Sequence, residues 1–366
     1  MKIIQTVSYY PPHIGGVENV AREIAERMAK KGYQVESFTS DIGCRREKLE
    51  SEKNLKIHYL PSWEFAHTPI MPSLFFKLLK IPRDSVIHVH LSHALVPEIV
   101  YLISKIKKVP YIAHLHSDPQ PSGPLGHILL TWYKKLFTRK ILANARKIIC
   151  LTKVQRQLIH EKYGINKNKI IVIPNGVDEK YFTVKKSNSN KYTYLLSVGR
   201  LSGQKNIPLM LQVASILKNK ALLHIVGDGE KRREIERIID EQKMKNVILH
   251  GRKNSNELIN FYSDAEIFIS TSIEEGFPLF FLEALASGTP IVAADIKEIR
   301  GFFREISILV NPPTPENFAR EIEELIKNKE KKELLVAKGM EIVKNLSWEK
   351  ITEQYENVYK NTVKDL

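Results

Sequence analysis

Cysteine is scarce: Cys44 and Cys150 are the only two in 366 residues. Neither sits in a metal or redox spacing, so a disulfide scaffold is excluded and a reducing cytosol is the expected compartment. No uninterrupted apolar run approaches the ~18 residues of a membrane span. The opening Met1-Lys2-Ile3-Ile4 enters a strand-like stretch directly, without the basic start and long apolar core of a signal peptide. The expectation is a cytoplasmic protein, peripheral at most on the inner face of the cell membrane. No GxGxxG fingerprint and no Asp-x-Asp pair occur. Acidic residues are short in the first half: residues 1–200 carry 32 Lys or Arg against 15 Asp or Glu, a net +17, and the remainder is at −2. Between positions 134 and 169 eleven cations face the single acid Glu161. Such an excess calls for an anionic partner on the N-terminal half.

What is present reads as two domains, since 366 residues at roughly 150 per domain allow two cores. Short apolar runs alternate with amphipathic segments throughout, the pattern of parallel sheets flanked by helices. Strands are expected over 3–8, 34–39, 86–91, 111–115, 148–152 and 170–173, with a helix over 16–31 closed by Gly32. Pro174-Asn175-Gly176 breaks the pattern, and the polar stretch Lys185 to Lys191 reads as an exposed linker. The alternation then restarts, with strands over 194–198, 222–226, 247–250, 267–270 and 290–293 and helices between them. The expected division is 1–180, with a C-terminal helix over 347–366 returning to it; a linker over 181–191; and 192–346. Ligands of doubly wound sheets bind beyond the carboxyl ends of the strands, so the motifs should lie at strand-to-helix turns.

Three turns carry chemistry. Gly15-Gly16 directly precedes the first expected helix, where bare backbone and a helix N-terminus favour a phosphate; a plain tight turn is the simpler reading. In Gly199-Arg200-Leu201-Ser202-Gly203-Gln204-Lys205, a fork-shaped cation and a compact one flank a glycine loop, a combination suited to a diphosphate. In Glu274-Glu275-Gly276-Phe277-Pro278-Leu279-Phe280-Phe281-Leu282-Glu283, seven residues separate Glu275 from Glu283. A helix starting near Pro278 places Glu275 in the loop before it and Glu283 inside, among apolar neighbours, where a carboxylate needs a partner such as a pair of sugar hydroxyls. The backbone of Phe277, Pro278 and Leu279 is then the amide-bearing start of that helix.

Together with Ser347-Trp348-Glu349 near the end, these motifs resemble, in order and spacing over essentially the whole chain, the retaining nucleotide-sugar glycosyltransferases of family 4 (glycosyl transferases group 1). The resemblance implies the α/β GT-B fold: two doubly wound Rossmann-like domains facing a central cleft, with a C-terminal helix crossing back to the first. It implies a UDP- or GDP-hexose donor, with Arg200 and Lys205 on its diphosphate and Glu283 on the ribose. Glu275 and the amides of Phe277, Pro278 and Leu279 would hold the transferred hexose, and Gly15 and Gly16 would close on the diphosphate. His116, in Ala113-His114-Leu115-His116, matches a family histidine that contacts the transferred sugar. Retention of the anomeric configuration is implied by the resemblance alone.

The histidines offer a competing reading. His88 and His90 lie two apart on one strand and His114 and His116 two apart on another, so each pair shares a face and four imidazoles could hold zinc. Beside them the only carboxylate is Asp118, and His93 would have to reach back, so the expectation is no metal and histidines making other contacts. Without an Asp-x-Asp pair, basic side chains and helix N-termini would stabilise the departing diphosphate, a metal-independent reaction. Two stretches, 71–80 and 129–140, interleave bulky apolar residues with cations, the look of an interfacial helix on anionic lipid. A core face with a solvated basic face is the bland alternative. The acceptor expected on this basis is a lipid-linked or membrane-proximal glycan. A basic nucleic-acid-binding protein and a catalytically silent sugar-nucleotide-binding relative are the alternatives; no recognition helix, zinc finger or aromatic RNA motif supports the former, and no expected donor-site residue is missing for the latter.

Overall fold

A computed structural model describes residues 1–13, 15–44, 53–65, 68–116, 137–186 and 192–364. The chain divides into two compact units, Met1–Asn175 with Glu349–Leu366, and Gly176–Trp348.

The first unit is built on a seven-stranded parallel sheet. Its strands are β1 (Lys2–Thr6), β2 (Gln34–Ser40), β3 (Leu55–Leu60), β6 (Ser85–Leu91), β7 (Tyr111–Leu115), β8 (Lys147–Cys150) and β9 (Ile170–Val172), in the order β3-β2-β1-β6-β7-β8-β9. The central strands are almost wholly buried because helices cover both faces, which is why they read as continuous apolar runs. The helix Gly16–Lys30 buries Val20, Ala21, Ile24, Ala25 and Met28 at helical spacing, and Gly32 follows it at φ +92. Strand β3, unforeseen in the sequence, is the outermost strand, and its burial is interrupted along its length. The short antiparallel pair β4 (Trp63–Phe65) and β5 (Thr68–Ile70) was equally silent.

The C-terminal helix, Trp348–Lys364, is part of this unit from Glu349 on. Tyr355 and Tyr359 are fully buried, and Glu356 accepts bonds from Tyr33 (2.8 Å) and Lys31 (3.0 Å).

The second unit carries a six-stranded parallel sheet. Its strands are β10 (Thr193–Val198), β11 (Ala221–Val226), β12 (Val247–Leu249), β13 (Ile267–Ser270), β14 (Ile291–Ala294) and β15 (Ile308–Val310), in the order β12-β11-β10-β13-β14-β15. Its core joins Leu195, Ile225, Ile267 and Val292 of the strands to Met210, Phe318 and Ile322 of covering helices.

The linker expected over 181–191 is anchored at its start, while Lys185 and Lys186 are exposed as the polar stretch suggested. Tyr181 is fully buried, and Lys186 donates to the carbonyls of Tyr262 (2.7 Å) and Ala265 (2.8 Å) and to the Thr289 hydroxyl. An aromatic ring and an ammonium with three acceptors hold this stretch on the second unit; residues 187–191 lie outside the described residues. The units also part earlier than residue 180, because Val177 pairs with the returning chain: its amide donates to Leu346 (2.8 Å), and its carbonyl accepts from Trp348 (3.1 Å).

Candidate functional site

In the second unit, the loop after β10 and the loop after β13 form one structure. Gly199 and Gly227 end neighbouring strands at φ +154 and +148, and a Cβ on Gly227 would lie 1.8 Å from the Gly199 carbonyl oxygen, so only glycine permits this approach. Beyond Gly199 the chain makes a single 3₁₀ turn, Gly203–Lys205. Thr271 Oγ1 donates to the carbonyls of Lys205 (2.9 Å) and Asn206 (3.0 Å), Gln204 Nε2 to Glu274 (2.7 Å), and the Ile273 amide to Gln204 (2.9 Å). These bonds hold Lys205 Nζ 2.5 Å from Glu275 Oε1 and 4.0 Å from the centre of the Phe280 ring. Both charged groups are largely buried, so their attraction is weakly screened. Two motifs seventy positions apart in sequence thus share one ion pair.

Arg200 stands apart from Lys205. Its side chain is 68% exposed and lies 3.2 Å from Glu230 Oε2, so the two cations are not a joined clamp: one is fixed, the other open to solvent. Glu230 and the turn Gly227-Asp228-Gly229 that precedes it were not singled out in the sequence, although two glycines directly after a strand were the available signal.

Glu275 precedes the helix Leu279–Ala286 and Glu283 lies inside it, as the spacing requires. Pro278 is the N-cap residue and has no amide hydrogen, so of the three positions expected to donate it cannot. Phe277 packs its ring on Phe302 and Phe303 (5.0 and 5.3 Å between centres), fixing the loop, and Leu279 opens the helix. Glu283 Oε2 accepts a 2.8 Å bond from the Tyr262 hydroxyl. Burial pushes the Glu283 carboxyl up, against the Tyr262 bond and the Lys180 charge, which pull it down. Tyr262 and Lys180 are partners that no local pattern announced.

In the first unit Gly15 caps the helix in extended backbone (φ −171), and a Cβ there would meet the end of the Glu18 side chain, Oε2 at 2.2 Å, which would have to move aside. Glu18 is buried and lies 3.0 Å from His13 Nδ1, and His13 stacks on Tyr9 at 4.3 Å. Around Gly16 a Cβ would meet nothing, so the fold itself makes no steric demand for glycine there.

His116 ends a four-histidine array. Strands β6 and β7 are adjacent, with His90 opposite His114. His88 Nδ1 lies 2.6 Å from the Tyr359 hydroxyl, His88 Nε2 3.2 Å from His114 Nδ1, and His90 Nδ1 2.8 Å from His116 Nε2. Burial holds all four rings neutral: His88 and His116 are pushed down to about 3, and His90 and His114 lie well below the usual histidine range. Ring nitrogens of His88, His90 and His114 come within 4.8 Å of one another. Both nitrogens of His88 and of His90 already have partners, the other contacts the sequence led us to expect. Asp118 lies outside the described residues.

The basic stretches divide. Within 71–80, Met71, Leu74 and Leu78 belong to the core, while Phe76, Lys77 and Lys80 are exposed. The bland reading therefore accounts for most of that segment. Of 129–140, residues 129–136 lie outside the described residues. No helix among the described residues is long and apolar enough to cross a membrane.

Two parallel α/β units of this kind define a GT-B protein, and solved structures bear this out. The chain is similar over its full length to the sucrose-phosphate synthase of Thermosynechococcus elongatus (TM-score 0.79, 20% identity, all of both chains). It is also similar to Anabaena HepE in complex with UDP and glucose (TM-score 0.77, 16% identity, 99% of this chain and 100% of that one). The family model of glycosyltransferase family 4 matches residues 14–181, and that of glycosyl transferases group 1 matches residues 177–341. The chain belongs to this family of glycosyltransferases. Relatives include an uncharacterized glycosyltransferase of Methanocaldococcus jannaschii, 26% identical over 98% of both chains. The alpha-monoglucosyldiacylglycerol synthase of Streptococcus pneumoniae is 26% identical over 80% of this chain and 71% of its own.

Proposed function

We propose that this glycosyltransferase moves a hexose from a UDP- or GDP-sugar to a lipid-linked or membrane-proximal glycan, with retention at the anomeric carbon and without a metal ion. The observation that carries the reading is the Lys205–Glu275 pair held by bonds between two loops. It sets a fixed cation beside a fixed carboxylate at the ends of adjacent strands, a pairing suited to a diphosphate and the sugar attached to it. Arg200, free of the loop-to-loop bonds, folds onto the donor diphosphate on binding. Glu283 takes the ribose hydroxyls, and Glu275 with the amides of Phe277 and Leu279 takes the hexose. From the first unit, His116 contacts the transferred sugar, and the helix start at Gly15-Gly16 offers its amides to a phosphate oxygen. HepE, with its bound UDP and glucose, supports the donor class, and the diacylglycerol relative supports a lipid acceptor. The charge of residues 1–200 supports an anionic lipid surface as the place of work.

A thermal-shift panel of UDP, GDP, ADP and their hexose conjugates, each with and without EDTA, tests the donor half, because a ligand of the folded state raises its melting temperature. A rise with UDP or GDP that EDTA leaves unchanged is expected; no rise with any of them, or a rise abolished by EDTA, contradicts it. Flotation with anionic against neutral vesicles tests the acceptor half, and equal binding to both contradicts it.

A further inference from the structure

Gln5 on β1 is buried and makes three contacts. Its Oε1 accepts from Ser37 (2.9 Å), and its Nε2 lies 3.0 Å from the Ala21 carbonyl and 3.0 Å from His90 Nε2. A carbonyl only accepts, so the Ala21 oxygen fixes the nitrogen, and not the oxygen, of the amide on that side. The amide's second N–H then points to His90 Nε2, which must accept. A neutral His90 therefore carries its proton on Nδ1 and donates it to His116 Nε2, 2.8 Å away. His116, neutral as well, is left with its own proton on Nδ1.

We propose that Gln5 and His90 are positioning residues that lock His116 as the Nδ1–H tautomer, so that the ring meets the sugar as a hydrogen-bond donor and not as a base. This rests on the reading of His116 given above. The Nε2 of His116 is occupied by His90, and Nδ1 already holds a proton, so neither nitrogen is open to take one from the substrate. The same Gln5 amide is tied to Ala21 in the helix that begins at Gly16, so the tautomer and the seating of that helix share one anchor.

Two-bond 15N–1H correlation spectra of the full chain labelled in its histidines read the tautomer directly. His116 and His90 are assigned by their loss in His116→Asn and His90→Phe. Both rings should show a protonated Nδ1 and an acceptor Nε2. Gln5→Met keeps the side-chain volume and removes the amide. It should turn the His116 signals into a tautomer mixture and lower turnover roughly 10–100-fold. A proton on His116 Nε2 in the unaltered protein overturns the proposal. So does an unchanged His116 tautomer in folded Gln5→Met or His90→Phe, and so does full turnover in a Gln5→Met protein whose tautomer has shifted. Absence of transfer with every donor would count against the transferase reading alone, since the spectra test the lock without any substrate.

Discussion

Lys205 Nζ and Glu275 Oε1 approach to 2.5 Å with the ammonium 4.0 Å above the Phe280 ring, so a single cation is shared by an acid and an aromatic face. The ion pair is sequestered enough that removing either partner leaves the other charge unmatched in a poorly solvated place. Lys205→Met and Glu275→Gln should each lower unfolding free energy by about 1–3 kcal/mol. The double variant should lose less than the sum, a positive coupling read by a double-mutant cycle in urea. Strict additivity would mean that the pair contributes nothing to the fold.

The two glycines at the first helix should behave oppositely. Gly15→Ala pushes the end of the Glu18 side chain aside and breaks its 3.0 Å contact with His13, and should cost about 0.5–1.5 kcal/mol. Gly16→Ala meets open space at a helical position and should leave stability within about 0.5 kcal/mol or raise it. If Gly16→Ala nonetheless lowers turnover, the glycine serves a ligand; equal melting temperatures for the two variants would refute the steric account of Gly15.

Acid should unfold the first unit early. In the unfolded chain each histidine titrates near 6.5, whereas His88 and His116 stay neutral in the fold down to about 3, and His90 and His114 are shifted the same way. The unfolded state therefore binds more protons across that window, and stability falls as pH drops from 6.5 toward 3. Between pH 6.5 and 5 the loss is up to about 2 kcal/mol per ring. Urea midpoints at pH 7.5 and 5.0 measure it, and His114→Phe should flatten the slope. Equal midpoints at the two pH values would contradict the neutral array.

How much of this was legible depended on whether a signal was local. The strand β10, the Leu279–Ala286 helix and the placing of Glu275 before it and Glu283 within it followed from spacing and a proline at the helix start. Strand β3 was missed because exposed Lys56 and half-buried Ile57, His58 and Tyr59 at a sheet edge give neither a clean alternation nor an apolar run. Tyr262, Lys180 and Gln5 could not be found from the sequence, since each acquires its role from a partner far away in the chain. Lys186 is exposed, as a lysine among polar neighbours suggests, but the three acceptors of its ammonium come from distant residues and left no local signal.

Glu283 gives a test specific to one atom pair of the ligand. If it holds the ribose hydroxyls, 2′-deoxy-UDP or 2′-deoxy-GDP should bind the unaltered protein roughly tenfold more weakly than the ribonucleotide. In Glu283→Ala the two should bind alike. The calorimetric cycle over both nucleotides and both proteins reads this, and a discrimination that survives in Glu283→Ala would move the ribose elsewhere. Tyr262→Phe, which removes the 2.8 Å bond to the carboxylate, should weaken the ribonucleotide more than its 2′-deoxy form and so narrow the discrimination.

The central claim is hexosyl transfer with retention and without metal. Incubating the protein with UDP- and GDP-hexoses and a lipid-linked glycan acceptor in EDTA, and reading the new linkage by 13C–1H NMR coupling at the anomeric carbon, tests it in one experiment. The account predicts a product with the anomeric configuration of the donor, formed at the same rate with and without EDTA and lost in Lys205→Ala. An inverted linkage, or a product formed only when a divalent ion is restored, would contradict it.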